Sequence, residues 1–296
     1  MFIDIHAHAF KTPFLQVDGR APFPTPEQLV EHYNDIGVEQ AVLLPLVGPE
    51  FYPGQGNEEI LEIADRFPGR FIPFCNIHPR AINNSPTAPL SDVLKKYKDK
   101  GCKGIGEVTV NMPFNDPFML NFFKHVEIAK MPLTFHIAHC IDNVYGIYDD
   151  PGLPLLEETL QKFPGIDFLG HSAAFWAEMN TLREVADRAG YPDYPVDAEG
   201  AVPKLMRKYP NLHGDLSAGS GCNALTRDPE YAVKFMTEFQ DRLLFGLDIC
   251  SPPKDIIKIE KFQLVEFLIK MKDSGKISLE IFNKIARGNA IRLLNL

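Results

Sequence analysis

The sequence holds one tryptophan and five cysteines among its 296 residues, and no two cysteines stand in a CxxC or similarly close spacing. An odd, scattered set of thiols excludes a disulfide framework and a thiolate zinc cluster, and points to a reducing, cytoplasmic setting. No apolar run approaches the ~18 residues of a membrane span. The start, Met1 through His6, lacks the basic segment, apolar stretch and small-residue cleavage site of a secretory leader. Positive charge is also scarce. With 30 lysines and arginines against 39 aspartates and glutamates, the formal charge is −9, a surface that repels phosphate backbones and anionic lipid. The expected partner is therefore a small molecule, with neither nucleic acid nor membrane, and a homodimer is compatible with this reading.

What is plentiful is a rhythm. Hydrophobic residues make up 45% of the chain, enough for a sizeable core. The 25 prolines are spread among connections and imply many short, stiff loops. Short β-branched or aromatic runs fall at Phe2 to His8, Glu39 to Val47, Arg70 to Pro79, Cys102 to Val110, Pro132 to Cys140, Ile166 to Ala173, Asn211 to Ser217 and Arg242 to Cys250. Between them, segments such as Glu58 to Phe67, Leu90 to Lys100, Met119 to Lys130, Pro154 to Phe163 and Ala201 to Tyr209 carry apolar residues three or four apart. Eight strands alternating with helices predict an α/β fold, a (β/α)8 TIM barrel spanning 1–296 as one domain. A doubly wound open sheet is the alternative, but no Gly-rich phosphate loop follows the first strand. A Pro-rich loop from Ala9 to Pro26 and a lid-like segment from Ala174 to Gly200 are placed at the barrel mouth, and Ser278 to Leu296 reads as a closing pair of amphipathic helices.

The chemistry gathers at strand ends. His6 and His8 stand two apart in a strand, so both side chains leave one face and can share a divalent ion, while Ala7 points the other way. Taken alone, this pair is as well explained as two polar residues at a strand end. Strand five closes on His136, strand six on His171 and strand eight on Asp248, at the end where barrel enzymes hold their sites.

These segments resemble the metal-dependent amidohydrolase superfamily, and within it the branch of aminocarboxymuconate semialdehyde decarboxylase and related aromatic-acid decarboxylases. The resemblance covers nearly the whole chain. It is carried by IDIHAH at 3 to 8, RFIPF at 70 to 74, PLTFHIA at 132 to 138, FLGHS at 168 to 172, RLLFGLD at 242 to 248 and the tail from Lys284 to Leu296. It implies that His6, His8, His136 and Asp248 surround a divalent metal, zinc by expectation with manganese as the hard-ion alternative. His171 corresponds to a residue that serves as acid or base in one-metal members and binds a second ion in two-metal members. Three imidazoles and a carboxylate leave room for a water whose pKa a divalent ion lowers to about 7, and Asp248 is placed to accept its proton.

Glu107, in GIGEV, departs from the decarboxylases. It lies where two-metal members carry a bridging carboxylate, and the run is similar to that of TatD-type hydrolases, although the acidic surface opposes a nuclease. A bridging role for Glu107 with His136 and His171 stands level with a role behind the ligands or against the substrate. Of the remaining polar residues, His78 and His139 border the mouth and read first as structural histidines; Phe175 and Trp176 are candidates to wall a planar substrate, with core packing equally expected. Arg227 and Lys254 are candidates to hold a substrate carboxylate. His32, His125 and His213 read as helix-surface or core residues, and Cys140 and Cys250 as small buried hydrophobes. Three functions follow: hydrolysis of an amide, ester or lactone, favoured by Glu107; nonoxidative decarboxylation of an aromatic or dienoic acid, favoured by the overall resemblance; and a non-catalytic barrel, disfavoured because no ligand is missing.

Overall fold

The computed structural model describes residues 1–12, 23–51, 54–251 and 263–296. Strands β1 (Phe2–Ala7), β2 (Val38–Leu43) and β3 (Phe71–Pro73) form one parallel sheet in that order. A second parallel sheet runs β4 (Ile105–Val108), β5 (Leu133–Ala138), β7 (Phe168–His171), β8 (Leu212–Asp215), β9 (Leu243–Leu244), with the short β6 (Ile147–Tyr148) paired to β5. Single bridges join the two sheets at both edges, Cys75 with Ile105 and Ala7 with Ile249. Eight strands thereby close into the TIM barrel the sequence predicts, and β6 is an extra strand laid on β5 that its two-residue length hid from any periodicity.

The closing seam is reinforced by backbone hydrogen bonds and by one side chain. Ile5 N–H donates to Phe245 O at 2.9 Å and Asp248 N–H to His6 O at 2.8 Å. The buried Asp4 accepts from His6 N–H and Leu247 N–H, both at 2.9 Å, and from the Tyr33 hydroxyl at 2.6 Å. One carboxylate so ties the first strand to the segment after the last one and to helix α1 (Pro26–Ile36). That helix starts cleanly because Thr25 and Gln28 form a capping box with Pro26 in the first turn, and it stops at Gly37, whose φ of 77° suits glycine.

Helices α2 (Asn57–Arg66), α3 (Ser91–Asp99), α4 (Pro117–Ala129), α5 (Pro154–Lys162) and α7 (Ala201–Lys208) occupy the predicted crossovers. Helices α1, α8 (Ala218–Thr226), α9 (Pro229–Glu238) and Gln263–Asp273 were not among the crossover segments singled out from the sequence, although they bury apolar residues in the same way. After β7 comes the five-residue helix α6 (Ala173–Ala177) and then a 3-10 turn at Val185–Ala189, within the segment expected to form a lid. At the C-terminal side the expected pair of helices is instead one continuous run, Leu279–Asn283 and Asn289–Leu294 joined by a π-helical turn at Lys284–Gly288. Ala290 and Leu294 pack with Ile3, Ile5, Val42, Leu44, Ile72, Phe74, Leu169 and Leu244. Lys103, just before β4, donates to Asn295 O at 3.3 Å, so this plug sits at the N-terminal ends of the strands. The opposite end is left to the polar side chains. Among the described residues no helix is long and apolar enough to cross a membrane.

Candidate metal centre

At the C-terminal ends of the strands, His6, His8, Glu107, His171 and Asp215 are all buried, and Asp248 and His136 are nearly so. A register shift in β1 between Asp4 and Ala7 accompanies the packing of Ile3 and Ile5 in the plug and the turning of both His6 and His8 toward the site. Their Nε2 atoms lie 3.2 Å apart. Glu107 Oε2 stands 3.5 Å from His6 Nε2 and 3.4 Å from His8 Nε2, and Asp248 Oδ1 stands 3.9 Å and 3.7 Å from the same two atoms. Asp248 reaches this place with a left-handed φ of 49°, a conformation that costs a non-glycine residue energy and that its N–H bond to His6 O holds.

The hydrogen bonds behind the two histidines decide what they offer. His8 Nδ1–H donates to Leu44 O at 2.9 Å; a carbonyl can only accept, so this proton is fixed on Nδ1. His6 Nδ1–H donates to Asp215 Oδ2 at 2.7 Å. Both Nε2 lone pairs therefore face each other and two carboxylate oxygens, an arrangement of acceptors with nothing to donate between them unless a proton or a cation sits there. Edges of 3.2 to 3.9 Å match the separations that ligand distances of ~2.0–2.2 Å around one zinc require. The donor set fits a divalent ion.

The electrostatics agree. Burial opposes a charge on His6, yet the carboxylates of Asp215, Glu107 and Asp248 together push its imidazole well above its ordinary value. Burial likewise opposes ionisation of Glu107, but the neighbouring His6 charge and hydrogen bonds from His136, His6 and His8 hold it well below the usual carboxylate range. His171 goes the other way, driven well below the ordinary imidazole value by burial and by the His6 charge. A proton on His6 thus balances the carboxylates, a duty a metal ion can take over.

Glu107 faces two ways. Its Oε1 is 2.8 Å from His136 Nδ1 and 3.9 Å from His171 Nε2, so Glu107, His136 and His171 form a second group of potential ligands beside the first. His136 Nδ1 thus faces Glu107 in the group with His171, while His136 also lines one cavity with His8 and Asp248, the residues among which the resemblance placed it. Asp248 is also divided, its Oδ2 3.9 Å from His171 Nε2. His171 Nδ1 is held by the Ser217 hydroxyl at 2.9 Å and lies 3.5 Å from Asp215.

Asp215 was missed by the sequence reading although it closes β8 just as His171 closes β7. Its signal was present in LHGDLS. Trp176, a candidate pocket wall, is buried beneath the site instead, its indole N–H donating to Asp215 O at 2.9 Å. There it supports the strand that carries Asp215. His139 lines a cavity of about 250 Å³ next to the site. His78 stands at the mouth near Glu50, its imidazole pushed down by burial, outside both ligand groups. Arg227 packs over Tyr194, 5.9 Å from the ring centre, and lines neither the cavity at His139 nor the one at Glu107 and Asp248. Lys254 lies outside the described residues.

A family model for amidohydrolases matches residues 3–296. The chain belongs to the amidohydrolase family. A search of curated proteins found no match. Among solved structures, this amidohydrolase is similar over 99% of its length to 98% of an uncharacterised TIM-barrel protein from Bordetella bronchiseptica, with 17% identity and a TM-score of 0.65. It is similar over its whole length to 99% of a probable 2-pyrone-4,6-dicarboxylic acid hydrolase from Acinetobacter baumannii with citric acid bound, at 16% identity and a TM-score of 0.58. The 5-carboxyvanillate decarboxylase from Sphingomonas paucimobilis is matched over 99% of its chain at 15% identity and a TM-score of 0.60. At these identities the likeness is one of fold, shared by a hydrolase and a decarboxylase alike.

Proposed function

We propose that this amidohydrolase is a metal-dependent hydrolase that cleaves a small-molecule amide, ester or lactone, with residues 1–296 forming one catalytic domain. The observation that carries the reading is the double-facing Glu107, with one oxygen toward His6 and His8 and the other toward His136 and His171. His6, His8, Asp248 and Glu107 would hold one ion, zinc or manganese, and Glu107, His136 and His171 a second. A buried carboxylate so placed is costly unless cationic charge surrounds it. When bound, a divalent ion supplies Lewis acidity toward a carbonyl and brings the pKa of water to about 7. Asp248 takes the proton of the attacking water. With His171 Nε2 given to the second ion and its Nδ1 held by the Ser217 hydroxyl, Asp248 itself passes that proton on to the leaving group.

A second reading, nonoxidative decarboxylation of an aromatic or dienoic acid, is favoured by the cavity itself. It measures about 190 Å³ and is walled by Phe23, Phe51 and Tyr145. Elemental analysis joined to two assays separates the readings. Two metals per chain with turnover of lactones or aryl esters supports hydrolysis; one metal with release of carbon dioxide from aromatic acids supports decarboxylation.

A further inference from the structure

Strand β7 ends at His171, and the chain then turns so sharply into α6 that the Phe175 ring takes the place of a Cβ on Gly170, which would fall 2.4 Å from it. Ser172 makes that turn. Its φ is 114° and its ψ 168°, a region that glycine enters freely and that costs other residues energy. Capping α6 does not require this backbone, because Thr25, Ser217 and Ser278 precede their helices at φ of −77°, −72° and −71°. Glycine would carry the turn without strain, so what serine adds is its hydroxyl.

That hydroxyl is buried and used to capacity. It donates to Ile137 O at 2.9 Å and accepts from Ile137 N–H and Phe175 N–H, both at 3.2 Å. The last registered pair of the β5–β7 ladder is His136 with His171, so the serine side chain supplies the next rung after the backbone of β7 has turned away. One rung back lie two of the candidate ligands. The His136 and His171 rings have centroids 5.2 Å apart, with Glu107 Oε1 2.8 Å from His136 Nδ1 and 3.9 Å from His171 Nε2. Ser217 fixes the rotation of the His171 ring and Glu107 that of His136, which leaves the offset between their two strands as the remaining freedom. A metal site requires its ligands to be held within about 0.5 Å.

We propose that Ser172 is a positioning residue for the second ion: its hydroxyl locks β7 to β5 one residue beyond His136 and His171, and so holds the two imidazoles at the separation that makes a ligand group with Glu107. This rests on the two-ion reading above and names what holds its second half together. The strained backbone is retained because the hydroxyl that spans the two ligand strands cannot be had from glycine. The group of His6, His8 and Asp248 lies on other strands and does not depend on this rung.

The test is titration of the metal-free full chain with Mn2+, comparing wild type, Ser172→Gly and Ser172→Ala. Electron paramagnetic resonance of free Mn2+ gives the dissociation constants, and two ions sharing the Glu107 carboxylate give a spin-coupled signal that an isolated ion lacks. Ser172→Gly keeps the turn, relieves its strain and loses the hydroxyl, so its urea midpoint should lie above that of Ser172→Ala; the reverse order overturns the argument from strain on which the proposal stands. In Ser172→Gly the first ion should bind within about threefold of wild type and the second about 10- to 100-fold more weakly, the coupled signal giving way to that of an isolated ion. A second ion held as in wild type overturns the proposal. So does equal weakening of both ions, which is the mark of a general loosening of the barrel. Wild type that takes up a single ion sinks the two-ion reading and this inference together, whereas two ions in wild type with an unaltered second ion in Ser172→Gly sink this inference alone.

Discussion

Asp215 supports the centre from behind, and replacing it isolates that support. Its Oδ2 takes the His6 Nδ1 proton at 2.7 Å, and its Oδ1 takes the Ser217 N–H at 3.0 Å. Asparagine has one acceptor oxygen for these two donors, so Asp215→Asn must either leave Ser217 N–H unpaired or turn an NH2 toward His6. In the second case His6 moves its proton to Nε2 and loses the lone pair that faces His8. Loss of such an orienting partner lowers metal affinity by about 10- to 100-fold. With zinc at 100 times the wild-type Kd, binding stabilises the native state by about 2.7 kcal/mol. For the variant at the same concentration the figure falls to about 1.4 or 0.4 kcal/mol at the two ends of that range. At about 2 °C per kcal/mol for a chain of this size, the zinc-induced rise in Tm should shrink from about 5 °C to between about 1 and 3 °C. Differential scanning calorimetry with and without zinc gives the rise, and competition against a chromophoric chelator gives Kd. A variant whose Kd stays within threefold of wild type would show that Asp215 does not set the state of His6, and the argument from the hydrogen bonds behind the ligands would fail.

Four other outcomes are expected. His6→Ala and Asp248→Asn should each abolish activity with the circular dichroism spectrum retained; turnover within a few-fold of wild type in either would sink the mechanism. Glu107→Gln should lower the metal content from two ions to one or fewer by elemental analysis and eliminate hydrolysis, because a neutral amide cannot balance two cations; an unchanged single metal contradicts the bridging reading. Asp4→Ala strands three buried donors, those of Tyr33, His6 and Leu247, and should cost at least about 3 kcal/mol in urea denaturation at ~1–3 kcal/mol each; a loss under 1 kcal/mol would mean the seam does not depend on it. Burial pushes the Asp149 carboxyl from 3.8 up to about 6. Folding is then penalised above pH 6 and the penalty fades as pH falls toward 4, so wild type should gain on Asp149→Asn between pH 8 and pH 5, and the opposite trend would refute this.

The barrel was legible because strands of a parallel sheet buried on both faces read as apolar runs, and because each crossover must be a helix. The strand-end residues were legible for a related reason: a polar side chain that closes an apolar run has few bland explanations when it recurs on four strands. Asp215 obeys the same rule and was overlooked because its strand carried no histidine at that position. For Trp176 pocket wall and core packing stood level because sequence gives adjacency to His171 but not the side of the helix, and here the indole turns inward to β8. Tyr145 and Arg188 had no signal at all. Tyr145 lies in a loop and Arg188 in a single 3-10 turn, where neither period two nor period 3.6 applies, and each is held by contacts with β5 or with Asp149 and Glu178.

The seam between the first and last strands has a consequence for chain order. His6 and His8 precede Asp248 by more than two hundred residues of sequence, so the group they form is a contact of high sequence separation that exists only once β1 has docked against the segment after β9. A partly folded chain whose last strand has not docked keeps the two imidazoles and lacks the carboxylate opposite them, so the candidate ligand group reports complete barrel closure.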